Sequence, residues 1–118
     1  MTASIAEFLD DLGRRGHEPL VARVDATVRF VITDGERTEH RLVTIRHGEI
    51  RVSTDDEPAD CLVRGDRATF DAVVSGRSSA MAALLRGALT VDGDPELLVL
   101  IQRLFPGHAA TAGERRSS

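Results

Sequence analysis

Hydrophobic and polar positions recur in two periods along this chain, and the switches between them mark its elements. Ser4-x-x-Glu7 is a capping box, and Ile5, Phe8, Leu9 and Leu12 follow at helical spacing. This predicts a short amphipathic helix over 4–13, bracketed at its end by Gly13 and Gly16 and prevented from continuing by Pro19. With a single narrow stripe, it reads as a peripheral element. From Val21 to Ile32 the period becomes two: Val24, Ala26, Val28, Phe30 and Ile32 share one face, Arg23, Asp25, Thr27 and Arg29 the other. That is a half-buried strand. Asp34-Gly35 is a turn, residues 40–46 a second strand, His47-Gly48 a tight turn and residues 49–53 a third strand. Connections this short make an antiparallel meander. A polar loop over 54–58 leads to a short fourth strand over 59–64.

Helical spacing returns at Asp66, a good N-cap, with Phe70, Val73 and Val74 as the apolar face and Gly76 as the C-cap. Ser78 or Ser79 caps a second short helix carrying Met81, Leu84 and Leu85, and Gly87 ends it. Residues 88–92 read as a fifth strand. Asp94-Pro95-Glu96 opens a last helix running to about Phe105 and stopped by Pro106-Gly107. Strands grouped ahead of helices give an α+β fold, one sheet with helices packed on one face. On the last helix Leu97, Leu98, Ile101, Leu104 and Phe105 form one stripe, and Val99 and Leu100 widen it to most of the circumference. A surface helix needs a stripe of only roughly 100°. Either this is a core helix buried on both sides, or part of its surface meets something other than protein.

Composition narrows the function. A net charge of -4 argues against nucleic acid, and 3% aromatic residues leave little for stacking bases. The chain has no lysine, so Schiff-base and phosphate-loop chemistry are excluded, and arginine in its place points to a GC-rich, bacterial genome. Cys61, the single cysteine, fits a reducing compartment. Acids stand where a secretory leader carries bases, no run approaches the ~18 apolar residues of a membrane span, and a peroxisomal Ser-Lys-Leu ending is missing. The expectation is a cytoplasmic protein without stable membrane insertion.

No nucleophile elbow, dinucleotide fingerprint, phosphate loop or zinc motif occurs, and His17, His40, His47 and His108 lack metal-ligand spacing. Asp92-Gly93-Asp94 is explained by a turn followed by an N-cap, and Asp55-Asp56-Glu57 by a solvated loop. Arg41, Arg46 and Arg51 decorate the wet face of the meander. No catalytic residue, metal or cofactor is expected, and the protein reads as a non-enzyme.

The segment PADCLVRGDRATFDAVVSGRSSAMAALLRGALTVDGDPELLVLIQRLF, with HRLVTIRHGEIRV upstream, resembles the sterol carrier protein type-two domain. Asp60, Gly76, Met81, Leu84, Gly87, Leu89, Val91, Gly93 and Asp94 occupy positions of that family's pattern, and the resemblance covers roughly residues 20–105. It implies a five-stranded mixed or antiparallel sheet covered by helices and enclosing an apolar tunnel. The implied ligand is a hydrophobic small molecule: a fatty acid, acyl-CoA or sterol-like lipid, bound without chemistry. One such domain would span 1–107, followed by a disordered tail over 108–118. Phe70, Val74, Met81, Leu84, Leu85, Leu100, Ile101 and Leu104 are the wall candidates. Low aromatic content makes those walls aliphatic, which departs from a sterol site. The same fold serves as an accessory module in larger proteins, so the alternative is an interaction module with a collapsed tunnel. Its apolar last helix would then meet a protein partner or a second copy.

Overall fold

The computed structural model describes residues 4–105. The expected helix stop at Pro106-Gly107 and the expected tail over 108–118 lie outside the described residues. Helix α1 (Ile5–Arg15) starts where Ser4 Oγ accepts from the Glu7 N–H at 3.1 Å, and ends at Gly16, left-handed at φ 65. It is followed by β1 (Asp25–Asp34), β2 (Arg37–Arg46), β3 (Glu49–Ser53), β4 (Cys61–Asp66), α2 (Arg67–Val74), α3 (Ala80–Leu85), β5 (Leu89–Gly93) and α4 (Pro95–Gln102). The five strands lie in the order β3-β2-β1-β4-β5, with β1 parallel to β4 and every other pairing antiparallel. The fold is α+β, as the chain pattern implies, and the sheet is mixed, one of the two forms that the resemblance implies.

The first strand starts later than its alternation suggests. Pro19–Val21 is a 3₁₀ turn with Pro19 at its first position, and the Glu18 carboxylate accepts from the Leu20 N–H at 3.3 Å. Val24 N–H then closes on the Val21 carbonyl at 3.0 Å, so extended pairing begins only at Asp25. Gly13 lies inside α1 rather than at its end, where the missing side chain lets α1 settle on Val52 of β3.

Among the described residues, all four α-helices cover one face of the sheet. Val28, Phe30, Ile32, Val43, Ile45, Ile50, Cys61, Val63 and Leu89 point to that side and form one core with the helices. The N-terminal helix is not peripheral. Ile5, Phe8, Leu9 and Leu12 are all buried; Phe8 meets Phe105 edge to face at 4.8 Å, and the Ile5 N–H donates to Asp71 Oδ1 at 2.8 Å. A narrow stripe suffices because α1 alone covers the β3 edge of the sheet. Arg41 is also misplaced by the sequence reading. It shares parity with Val43 and lies on the helix side, in a groove with Leu9 and Arg14, whereas Arg46 and Arg51 are on the opposite face.

That opposite face is crossed by the β3–β4 connection, Thr54 to Asp60, which passes over β2 and β1. Arg29, buried beneath it beside Leu42 and Val31, donates to the Asp55 carbonyl at 3.3 Å and closely to the Glu57 carbonyl. The side chains of Asp55, Asp56 and Glu57 stay exposed, so the loop is solvated outside and tied down inside.

Replacing Phe8 with Ala should lower the free energy of unfolding in urea by about 3–5 kcal/mol. A loss below about 1 kcal/mol would return α1 to the periphery.

Candidate functional site: the aliphatic layer under the third and fourth helices

Side-chain caps fix where α2, α3 and α4 begin. Asp66 Oδ1 accepts from Thr69 N–H at 2.7 Å, Ser79 Oγ from Ala82 N–H at 3.0 Å, and Asp94 Oδ1 from Glu96 N–H at 3.0 Å. Pro95 holds the first position of α4. Past Gln102 the helix tightens: Leu104 N–H reaches the Ile101 carbonyl and Phe105 N–H the Gln102 carbonyl, so regular helix ends short of the expected Phe105. Gln102 turns toward α3, where its Oε1 accepts from the Ala80 N–H at 3.1 Å.

Two glycines let the backbones close up at this end. A Cβ on Gly65 would lie 2.4 Å from Leu89 Cδ2, directly across the β4–β5 pair. A Cβ on Gly93, which sits at φ +112, would lie 2.3 Å from the Asp60 carbonyl oxygen. Asp60 in turn accepts from Thr27 N–H at 2.9 Å and donates its own N–H to the Thr27 carbonyl at 3.0 Å. The Asp60 and Gly93 positions of the family pattern are thus explained by strand pairing and close approach, not by ligand chemistry.

The eight wall candidates fall into three groups. Phe70, Val74, Ile101 and Leu104 lie in the core between helices and sheet. Leu84 and Leu100 are half-buried. Met81 and Leu85 point outward, 49% and 81% exposed, as does Val99 of α4. Val74 and Ile101 have 0% exposure, so no water-sized space adjoins them in this conformation. Leu98 and Phe105, which are not among the wall candidates, belong to the same buried layer. The stripe on α4 carried that signal. What α3 buries is small: Ala80 and Ala83.

This layer offers no acid–base pair. Cys61 is buried, and burial, followed by the charges of Asp94, Asp92 and Asp60, pushes its thiol up into the protonated form. Among the described residues no cluster of His, Cys, Asp or Glu could hold a metal, and no buried side-chain polar atom lacks a partner. A cleft of about 600 Å³ lies on the other side of the sheet, lined by Arg15, His17, Arg46, Glu49 and Arg51 among others. Its mixed charges do not suit an apolar ligand.

Residues 7–106 match the model of the SCP-2 sterol transfer family, and the chain belongs to that family. Comparison with curated proteins gives no match. Among solved structures, the chain resembles sterol carrier protein 2 from Yarrowia lipolytica, with a TM-score of 0.68, 17% identity and coverage of 86% of this chain and 88% of that one. It resembles the palmitated SCP2L2 of Aedes aegypti with a TM-score of 0.66, 17% identity and coverage of 88% and 96%. It also resembles the stereoselective inverting sec-alkylsulfatase Pisa1 from Pseudomonas sp., with a TM-score of 0.71 and 20% identity. There it covers 84% of its own length but spans only 16% of the sulfatase chain. At these identities the likeness is one of fold. No described helix is long and apolar enough to cross a membrane.

The buried thiol sets one expectation. A thiol reagent at neutral pH should label Cys61 on the order of a hundredfold more slowly in native protein than in urea; equal rates would show this end of the sheet to be open. The α2 cap sets another. Hydrogen bonds from Thr69 hold the Asp66 carboxyl below its ordinary value. Its contribution is therefore present above the unfolded value and lost as pH falls through the lower, folded one. Asp66→Asn keeps a capping oxygen without the charge. The melting-temperature advantage of the unsubstituted protein over this variant should be largest at neutral pH and shrink on acidification. A gap that stays constant would refute the assignment.

Proposed function

We propose that this protein binds the acyl chain of a lipid non-covalently between the sheet and helices α3 and α4, and releases it unchanged. Membership of the SCP-2 sterol transfer family is the starting point. The observation that carries the reading is how lightly α3 is held. A six-residue helix does not sustain itself, and α3 anchors on the methyl groups of Ala80 and Ala83, while Leu84 beside them is only half-buried. Two methyl groups contribute roughly 1–2 kcal/mol. Swinging α3 away from α4 opens the layer at Leu84, Leu97 and Leu100, toward Val74 and Ile101 behind them. An acyl chain laid there replaces apolar contacts with apolar contacts and strands no buried polar group. The palmitated relative of the same fold supports an acyl ligand over a sterol, and the aliphatic walls agree with it.

A 16-carbon chain supplies roughly 13 kcal/mol gross at about 0.8 kcal/mol per CH₂. Association and ordering remove about half or more, leaving affinity in the micromolar range or somewhat tighter. Reaction is not part of this reading, since burial and the neighbouring charges of Asp94, Asp92 and Asp60 keep Cys61 a protonated thiol, a poor nucleophile.

The second reading is an accessory module whose layer stays closed. The 0% exposure of Val74 and Ile101 and the small share of the sulfatase chain that this fold occupies favour it. Native mass spectrometry of freshly purified protein separates the two, through co-purifying lipid in one case and a bare chain in the other.

Titration with a fluorescent fatty acid should saturate at about one ligand per chain, with no ester or thioester hydrolysis. Leu84→Gln should weaken binding about tenfold while leaving the melting midpoint within a few degrees, because the position is half-open already. Saturable binding unaffected by Leu84→Gln would move the ligand elsewhere, and no binding at all would leave the accessory module.

A further inference from the structure

We propose that the outward side of α3 docks the protein on an anionic lipid surface. About one residue in six of this chain is acidic, yet from Ala72 to Val91 there is no acid at all. The charges in that stretch are Arg77 and Arg86, both exposed and neither in an ion pair among the described residues. Between them Met81 and Leu85, four apart and so on one side of the helix, stand 49% and 81% exposed. Arg77 leans on Ser75 Oγ and Arg86 reaches back to Ser78 Oγ, so both guanidinium groups gather at the N-terminal end of α3, beside the apolar pair. Val99 of the neighbouring α4 and Arg103 at its C-terminal cap are also exposed. The acids of α4, Asp94 and Glu96, lie at its start, whereas α3 begins against Gln102 near its end.

Charge complementarity selects an anionic partner, and the apolar pair selects which kind. Helix α3 is about 9 Å long and offers no aromatic anchor, too little for a protein interface of roughly 1,200 Å² or more. A bilayer asks for less: two unbranched or singly branched side chains entering the acyl boundary and two arginines at phosphate depth. Docking of this kind needs no cargo in the interior, and so stands apart from the acyl-binding reading.

The test is co-sedimentation of the full chain with vesicles of phosphatidylcholine alone and of phosphatidylcholine containing about one-third phosphatidylglycerol. Binding should favour the anionic vesicles by about tenfold or more and weaken as salt is raised. Arg77→Gln with Arg86→Gln, and separately Met81→Ser with Leu85→Ser, should each lower partitioning about tenfold. Melting temperatures should stay unchanged, since all four residues are exposed. No binding, equal binding to both vesicles, or binding indifferent to either double variant overturns the proposal. So does concentration-dependent dimerisation that Leu85→Ser abolishes, which would give the face to a second copy. Fatty-acid titration without vesicles keeps the two readings distinct: cargo binding without docking sinks only this proposal, and docking without cargo binding sinks only the other.

Discussion

A strand parallel to its neighbour cannot be reached by a tight turn, so the chain must cross the sheet to place β4 beside β1. Here the crossover carries no helix to bury against the strands; it is a run of polar residues over a flat surface. Two groups make that arrangement hold. Arg29 gathers the inward carbonyls of Asp55 and Glu57, and Asp60 exchanges hydrogen bonds with Thr27 where β4 begins. Bonds to a charged donor contribute about 1.5–3 kcal/mol each, which suits a loop with no apolar side chain large enough to bury. Once β4 is registered on β1, β5 follows by hairpin-like return through α2 and α3, and α4 closes the same face.

This division leaves the two faces with different physics. The crossover face is held by a buried cation and main-chain oxygens, with Leu42 and Val31 sealed underneath. The helical face is held almost wholly by aliphatic contact, with Phe8 on Phe105 and Phe30 near Phe70 as its aromatic pairs. Directional bonds keep the first face in one arrangement. Contacts on the second are non-directional, and they can be exchanged for an apolar ligand's contacts at little cost. The proposed binding layer is placed on the helical side for that reason.

Local rules recover most of this from sequence alone. The caps at Ser4, Asp66, Ser79 and Asp94 each form as their residue types suggest, and strand parity separates Val28, Phe30 and Ile32 from Arg29 correctly. What parity does not carry is the burial of the second face. Arg29 and Leu42 become interior only because a loop from elsewhere in the chain lies over them. The same holds for α1, whose narrow stripe is fully used because the β3 edge has no other cover. At Val21, where the extended reading starts the first strand, Pro19 has already set a 3₁₀ turn. At α3 the sequence shows Met and Leu at helical spacing, which periodicity assigns to the inside. The packed helix buries its alanines instead.

That inversion has a steric cause. Helix α3 lies close against β5 and α4, with the Ala88 N–H bonded to the Ala83 carbonyl and Gln102 meeting the Ala80 N–H. Ala80 and Ala83 take the inner side there, and Met81 and Leu85 are left on the outer side. An element packed through its smallest residues gains little from contact and is among the first to open in local fluctuations. The same packing that exposes two flexible apolar side chains leaves the helix bearing them with few large anchors. The proposed contact with an apolar environment at Met81 and Leu85 and the proposed access to the layer behind Leu84 would both follow from this one placement. A tighter, leucine-anchored α3 would remove both.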